Sequence, residues 1–220
     1  MQVKRAKEIR YLAEAAGITK DIFAVISKSV KPGARESEIA RELEALIKQR
    51  GLRRSFKTIV ASGPNAAKPH AEITERIIKT NDVVVLDFGV IYKGYHSDMT
   101  RTMFVGNISP ALRKLYKVVK AAQKMAIQKV RDGAKISSIV QGVHDYMRGK
   151  GLGKNILHSL GHGLGTRIHE APKLSEKNKR KLKKNMVLAI EPGLYIRGIG
   201  GVRIEDMALV RKNGARVLTA

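Results

Sequence analysis

The chain has 220 residues, enough for one large domain or two small ones and too many for a disulfide-stapled mini-protein. Lys and Arg number 43 against 19 Asp and Glu, a formal charge of +24, yet 43% of the residues are hydrophobic, enough to build a core and to exclude global disorder. The absence of Cys excludes disulfides, thiolate metal ligands and a Cys nucleophile. With no Trp, 4 Phe and 6 Tyr, a base-stacking platform would be sparse.

The N-terminus, MQVKRAKEIRYLAEAAG, puts charge into every turn and has no continuous apolar core, unlike a signal peptide. The aliphatic run Val83–Leu86 is far too short to span a membrane. A soluble, cytoplasmic protein without a membrane partner is therefore expected. The positive charge is compatible with a nucleic-acid partner, with attraction to acidic surfaces, or with a merely basic solvated exterior. Abundant Lys and Arg, absent Cys and modest Asn and Gln give a thermophile-like composition.

A helix is expected over 21–29, followed by a turn at Val30-Lys31-Pro32-Gly33-Ala34-Arg35. That turn resembles Val130-Arg131-Asp132-Gly133-Ala134-Lys135, and both are followed by Ser, one residue and Ile. Both segments close on Gly-Leu, at 51–52 and 151–152, so the repeat runs ungapped at an offset of 100 residues. Ile39, Leu43, Leu46 and Ile47, like Ile139, Val143, Tyr146 and Met147, recur at helical spacing, and Gly51 and Gly151 are natural helix stops. Between the copies, Ser109-Pro110 supplies an N-cap and a first-turn proline for a helix over 110–129.

Strands are expected at 58–61, 83–87, 102–105, 156–160, 186–190 and 202–210. Asn81 to Gly89 parallels Asn185 to Gly193: polar turn, apolar strand, carboxylate, one residue, glycine. The chain thus reads as one domain over 1–220 with two αβ halves, approximately 1–106 and 107–220, related by duplication. Such a fold places its site between the halves and draws chemistry from both.

A carboxylate at the end of an apolar strand is costly unless it is paired or bound. Asp87 ends VVVL, Asp98 follows Tyr95-His96-Ser97, Glu191 ends VLAI, and Glu205 lies inside the 202–210 segment. One such acid is ordinarily a hydrogen-bonded strand end. Four, two per half, would repel one another if clustered and could not all ionise without cations; two divalent metals would neutralise them. Three of the six histidines, His158, His162 and His169, fall within 12 residues, and glycines flank His162. His96 and His144 are expected to be structural.

These residues resemble a family. Asp87-Phe88-Gly89, Gly94 to Thr102 (GYHSDMTRT), Gly161 to Gly165 (GHGLG) with His169-Glu170-Ala171-Pro172, Ile190-Glu191-Pro192-Gly193 and Gly201 to Asp206 (GVRIED) look like the pita-bread metallopeptidases, in order over essentially the whole chain. That family includes methionine aminopeptidase, aminopeptidase P and prolidase. The resemblance implies an α+β pita-bread fold, with a curved, mainly antiparallel sheet covered by helices. It also implies a dinuclear metal site in which Asp87 chelates one ion, His162 and Glu191 bind the other, and Asp98 and Glu205 bridge them. One imidazole and four carboxylates suit Mn²⁺ or Co²⁺, with Zn²⁺ or Fe²⁺ also compatible. By the same resemblance, a hydroxide between the metals attacks the scissile carbonyl, Glu191 carries a proton to the leaving amine, and His169 donates to the oxyanion.

The stretch Ile59 to His70 (IVASGPNAAKPH) looks like the proline-peptidase branch, as do His158, four residues before His162, and Arg203, two before Glu205. The resemblance assigns His70, His158 and Arg203 to substrate binding around an Xaa-Pro bond, with His70 also beside the chemistry. Arg203 has a compatible second reading as ion-pair partner of a ligand carboxylate. The implied substrate is a peptide with proline at its second position. Aminopeptidases P and prolidases usually carry a preceding N-terminal domain that helps them oligomerise and closes the substrate site. Here the pattern starts close to Met1, so the catalytic domain is expected without it, and a homodimer is a further expectation.

Lys173–Lys184 (KLSEKNKRKLKK) carries seven Lys or Arg and one acid, which reads as a solvated loop or as a weak polyanion-binding patch. Two alternatives stand beside the Xaa-Pro reading: a methionine aminopeptidase-like activity, and a non-catalytic module that binds nucleic acid or ribosome through its basic surface.

Overall fold

The computed structural model describes residues 2–220. Two helices open the chain, α1 (Ala6–Ile26) and α2 (Glu36–Gln49). Six strands follow: β1 (Arg53–Arg54), β2 (Ile59–Ser62), β3 (Val83–Phe88), β4 (Val90–Tyr92), β5 (Tyr95–His96) and β6 (Met99–Phe104). The second half repeats this order with α3 (Pro110–Lys129) and α4 (Ile136–Gly149), then β7 (Gly161–Gly163), β8 (Glu170–Leu174) and β9 (Val187–Ile190). It ends with β10 (Gly193–Ile196), β11 (Gly200–Arg203), β12 (Asp206–Arg211) and β13 (Gly214–Val217).

Every strand pairing is antiparallel. The first half centres on the order β2-β3-β6, the second on β13-β12-β9-β7-β8, with smaller sheets β1-β4-β5 and β10-β11. Strands β3 and β9 are buried on both faces, which explains their unbroken apolar runs. Val83 and Val85 face a core shared with α3 and α4, whereas Val84, Leu86 and Phe88 face the core under α1 and α2. Leu188 and Ile190 join the first of these cores, and Val187 and Ala189 meet Leu12 and Ala16 of α1. Helix α1 therefore packs on the β-sheet of the other half and ties the two together. Each buried Leu or Ile stabilises by about 1.5–3 kcal/mol relative to exposure.

Backbone contacts recur between the halves. Gly33 N donates to Ile78 O and Ile78 N to Ala34 O, as Gly133 N does to Leu182 O and Leu182 N to Ala134 O. Bridges join Arg35 to Ile77 and Lys135 to Lys181. Asn81 and Asn185 both adopt positive φ, 74° and 69°, just before β3 and β9. Asn tolerates that conformation better than most residues.

Three sequence expectations change. Helix α1 starts at Ala6, not at 21, because Leu12, Ala15, Ala16, Thr19, Ile22 and Ile26 form one buried stripe beneath the charges. The segment 156–160 is not a strand: it follows a 3₁₀ turn at Gly153–Asn155, and only Leu160 bonds the neighbouring sheet, through Leu174 and Glu191. The segment 202–210 is two strands, not one. At the break, Ile204 N donates to Pro192 O and Glu205 N to Thr100 O.

Candidate metal centre

The break between β11 and β12 turns Glu205 out of the ladder towards the junction of the halves. Asp87 arrives near the end of β3, Asp98 just before β6, His162 in the middle of β7 and Glu191 immediately after β9. Strand β7 fits between its neighbours because of two glycines. A Cβ on Gly161 would sit 2.0 Å from Ala189 O, and one on Gly163 would sit 2.6 Å from Ala171 O. His162 is thereby held deep in the sheet with its ring facing a cavity of about 820 Å³. All nine residues singled out in the sequence line that cavity: His70, Asp87, Asp98, His158, His162, His169, Glu191, Arg203 and Glu205. Two of the five ligand-type side chains come from the first half and three from the second.

Ligand-type atoms of Asp98, His162 and Glu205 lie within 4.8 Å of one another. His162 Nδ1–H donates to Gly163 O at 3.0 Å, which leaves the Nε2 lone pair free. That Nε2 stands 3.5 Å from Asp98 Oδ2 and 3.8 Å from Glu191 Oε1. A lone pair facing carboxylates is repulsive unless a cation lies between them. The acids give the same signal. Burial and the charges of Asp87 and Glu191 push the Asp98 carboxyl well above the usual range. Burial and the Asp98 charge do the same to Glu205, and burial raises Glu191 to about 7. Asp87 Oδ1 and Glu205 Oε1 are buried with no hydrogen-bond partner. A buried carboxylate oxygen without a partner costs about 1–3 kcal/mol, or more when charged. This oxygen-rich donor set with one imidazole and two orphaned oxygens fits divalent cations.

The remaining oxygens are held by neighbours. Thr100 Oγ1 donates to Glu205 Oε2 at 2.7 Å. Arg203 Nη2 donates to Asp87 Oδ2 at 2.5 Å, both side chains being buried. Arg203 also donates from Nε to Thr100 Oγ1, and from Nη1 to Pro69 O and Tyr195 OH. The ion-pair reading of Arg203 is thus the contact the structure displays. His158 Nδ1–H donates to Ser159 O, and its Nε2 accepts from Tyr195 OH at 2.8 Å. Burial pushes His158 down to about 4 and Tyr195 up to about 12, so the imidazole is neutral and the phenol protonated at pH 7. His169 is exposed at the cavity wall, its ring edge-on to His162 with centroids 4.4 Å apart. Burial and the neighbouring His162 and His70 lower its pKa. His70 is exposed at the rim.

His96 and His144 stand apart from this cluster. His96 Nδ1 meets Ser55 Oγ at 2.8 Å, and His144 Nδ1 meets Glu176 at 2.6 Å. Sequence reasoning missed Tyr195 and the supporting role of Thr100. A Tyr in the buried strand GLYI signals a hydroxyl in need of a partner, and Thr100 sits two residues from a strand-end acid.

Two αβ halves wrapped around acids from both define the pita-bread class of metallopeptidase folds. Comparison with known proteins agrees and goes further: the family profile described as "Metallopeptidase family M24" matches residues 10–212, and the chain belongs to that family. The Xaa-Pro dipeptidase of Pyrococcus furiosus is 38% identical over 218 residues, covering 99% of this chain and 63% of its own length. The structure of an Xaa-Pro dipeptidase from Bacillus anthracis superposes with a TM-score of 0.96 at 42% identity, covering 99% of this chain and 61% of that one. An X-Pro aminopeptidase from Thermotoga maritima gives 0.95 at 34% identity, covering 99% and 62%. The chain therefore spans less than two thirds of the length of these relatives. Metallopeptidases of this family use divalent metals. Among the described residues, no helix is long and apolar enough to cross a membrane.

Proposed function

We propose that this chain is the catalytic domain of a metal-dependent exopeptidase that cleaves the bond before proline in Xaa-Pro peptides. The observation that carries the reading is the convergence of Asp87, Asp98, His162, Glu191 and Glu205 on one cavity with His70, His158, His169 and Arg203. The names of the relatives support the proline preference. One catalytic domain over 1–220, with halves 1–106 and 107–220, and a cytoplasmic setting belong to the same reading.

Two divalent ions, Mn²⁺ or Co²⁺ with Zn²⁺ and Fe²⁺ as alternatives, would supply Lewis acidity to the scissile carbonyl and lower the pKa of a water molecule. Asp87 would hold one ion, His162 and Glu191 the other, and Asp98 and Glu205 both. Arg203 holds the Asp87 carboxylate in place through its Nη2 hydrogen bond. Glu191, facing the cavity immediately after β9, takes a proton at its carboxylate and returns it to the leaving proline nitrogen. His169, beside His162 at the cavity wall, donates an N–H to the carbonyl oxygen as negative charge develops there. His70 at the rim and His158 on the wall border the space for the proline side of the substrate.

A panel of Xaa-Pro dipeptides, longer Xaa-Pro peptides and Met-Ala peptides, assayed with added Mn²⁺ or Co²⁺, tests the reading. Turnover of Xaa-Pro substrates that stops on chelation is expected. No turnover of any substrate with metal bound would overturn it, and turnover of Met peptides alone would assign the chain to the methionine aminopeptidase branch.

A further inference from the structure

The two halves carry very different charge. Residues 1–106 hold 19 Lys and Arg against 12 Asp and Glu, a net of +7; residues 107–220 hold 24 against 7, a net of +17. Most acids of the second half face inward. Glu191 and Glu205 line the cavity, Glu170 meets buried Lys4, and Asp206 meets Arg101. Asp145 and Glu176 are engaged by Arg148.

The fold then gathers the bases at one edge. Asp132 N donates to Arg211 O, Gly133 N to Leu182 O and Ile136 N to Arg180 O. Three distant segments meet there: the α3–α4 turn, the 179–184 run and the β12–β13 turn. Arg131, Lys135, Lys181, Lys183, Lys184, Arg211 and Lys212 are all exposed, and among the described residues none of them forms an ion pair. Asp132 is the lone acid among them, and its Oδ1 accepts from Lys184 N.

The backbone does not demand this charge. The first half makes the same turn contacts at Gly33, Ala34 and Arg35. There Ile77 and Thr80 stand where the second half has Lys181 and Lys184, and Gly106 and Asn107 follow the strand in place of Arg211 and Lys212. Arg76 is paired with Asp82, and Arg35 donates to Glu75 O. Unpaired like charges crowd one edge at an electrostatic cost that a polyanion would relieve.

We propose that this edge binds the phosphate backbone of a nucleic-acid duplex without reading its bases. The patch contains no aromatic residue, which argues against the stacking by which single strands are held. None of the exposed large apolar side chains lies in it, which argues against insertion into a membrane surface. Phosphate contacts by Lys and Arg release counterions, so the affinity falls steeply with salt.

The test uses the full metal-loaded chain and a labelled duplex of roughly two helical turns, read by fluorescence anisotropy across a salt series. With about five phosphate contacts, log Kd rises against log salt with a slope of about 4.5. Replacing Lys181, Lys183, Lys184 and Lys212 with Gln is expected to weaken binding at least roughly 30-fold and lower the slope by about 3. The control removes the same charge from the first half, at Lys28, Lys31, Lys48 and Lys79, and is expected to change Kd less than about 3-fold. If the fourfold variant does not fold, the pairs Lys181→Gln/Lys183→Gln and Lys184→Gln/Lys212→Gln replace it, each expected to weaken binding roughly 5-fold. Equal losses in the two sets, no binding at physiological salt, or preference for phosphatidylserine vesicles over the duplex would overturn the proposal. Peptidase turnover, measured alongside, separates this outcome from any failure of the catalytic reading.

Discussion

The first and second halves share a turn, an amphipathic helix and a strand that ends in a carboxylate, yet they treat the same positions differently. Glu36 opens α2 fully buried, and its carboxylate accepts from Ser62 N and Oγ, Asn65 Nδ2, and Thr74 N and Oγ1. Its counterpart at the start of α4 is Ile136, equally buried, in an apolar core. The acid ties down the loop that carries Pro69 and His70 to the cavity, whereas the Ile only packs. Charge diverges similarly: the first half pairs its turn arginines, and the second leaves its lysines exposed. A repeated backbone fixes where strand ends meet, because ladder hydrogen bonds and apolar burial tolerate little change. It leaves open what a buried cap or an exposed turn does, and the halves have specialised there.

Several experiments break or sharpen this comparison. The largest effect belongs to the acids placed between the halves. Asp98→Ala and Glu205→Ala, one from each half, are each expected to lower kcat at least roughly 1,000-fold while the protein stays folded. Full turnover in either variant would contradict the proposed bridging role. Next comes the buried cap. Glu36→Ala leaves five donors without an acceptor and is expected to cost about 3–5 kcal/mol in denaturant unfolding. Ile136→Val in the matched position is expected to cost about 1 kcal/mol. Equal costs would show that Glu36 is no more than packing.

Smaller effects concern the Arg203–Tyr195–His158 chain. Tyr195→Phe removes the hydroxyl between Arg203 and His158 and is expected to cost about 1–2 kcal/mol and to lower kcat/KM by roughly 10-fold. His158 titrates near 4 in the fold against about 6.5 in the unfolded chain. The unfolded state binds the extra proton, so this contribution is complete above pH 6.5 and fades as pH falls to 4. His158→Asn is expected to flatten the acid limb of the stability profile by about 3 kcal/mol between those limits. An unchanged limb would show that His158 is not held neutral.

Much of this was legible in the sequence, for local reasons. Helix α3 runs over Pro110–Lys129 as expected, because Ser109 Oγ accepts from Leu112 N and proline opens the first turn. The strand-end acids stood out because an apolar run followed by a carboxylate has few inexpensive explanations. The first turns of helix α1 are hard to read from sequence because Lys, Arg and Glu interrupt them, although its buried stripe keeps helical spacing. The 202–210 segment read as one strand because its break has no Gly or Pro. Only the bonds of Ile204 to Pro192 and Glu205 to Thr100 make it, and both partners are remote in sequence. Tyr195, Thr100 and the Glu36 network escaped for the same reason: each is defined by partners the chain reaches only when folded.

The central claim is that acids from both halves exist to hold cations. Titrating the metal-free chain with Mn²⁺, with heat and bound metal counted together, tests it most directly. Two ions per chain, a raised unfolding temperature, and loss of both on changing Asp98→Asn with Glu205→Gln are predicted. A chain that binds no ion, or binds it undiminished in that double variant, would contradict the account.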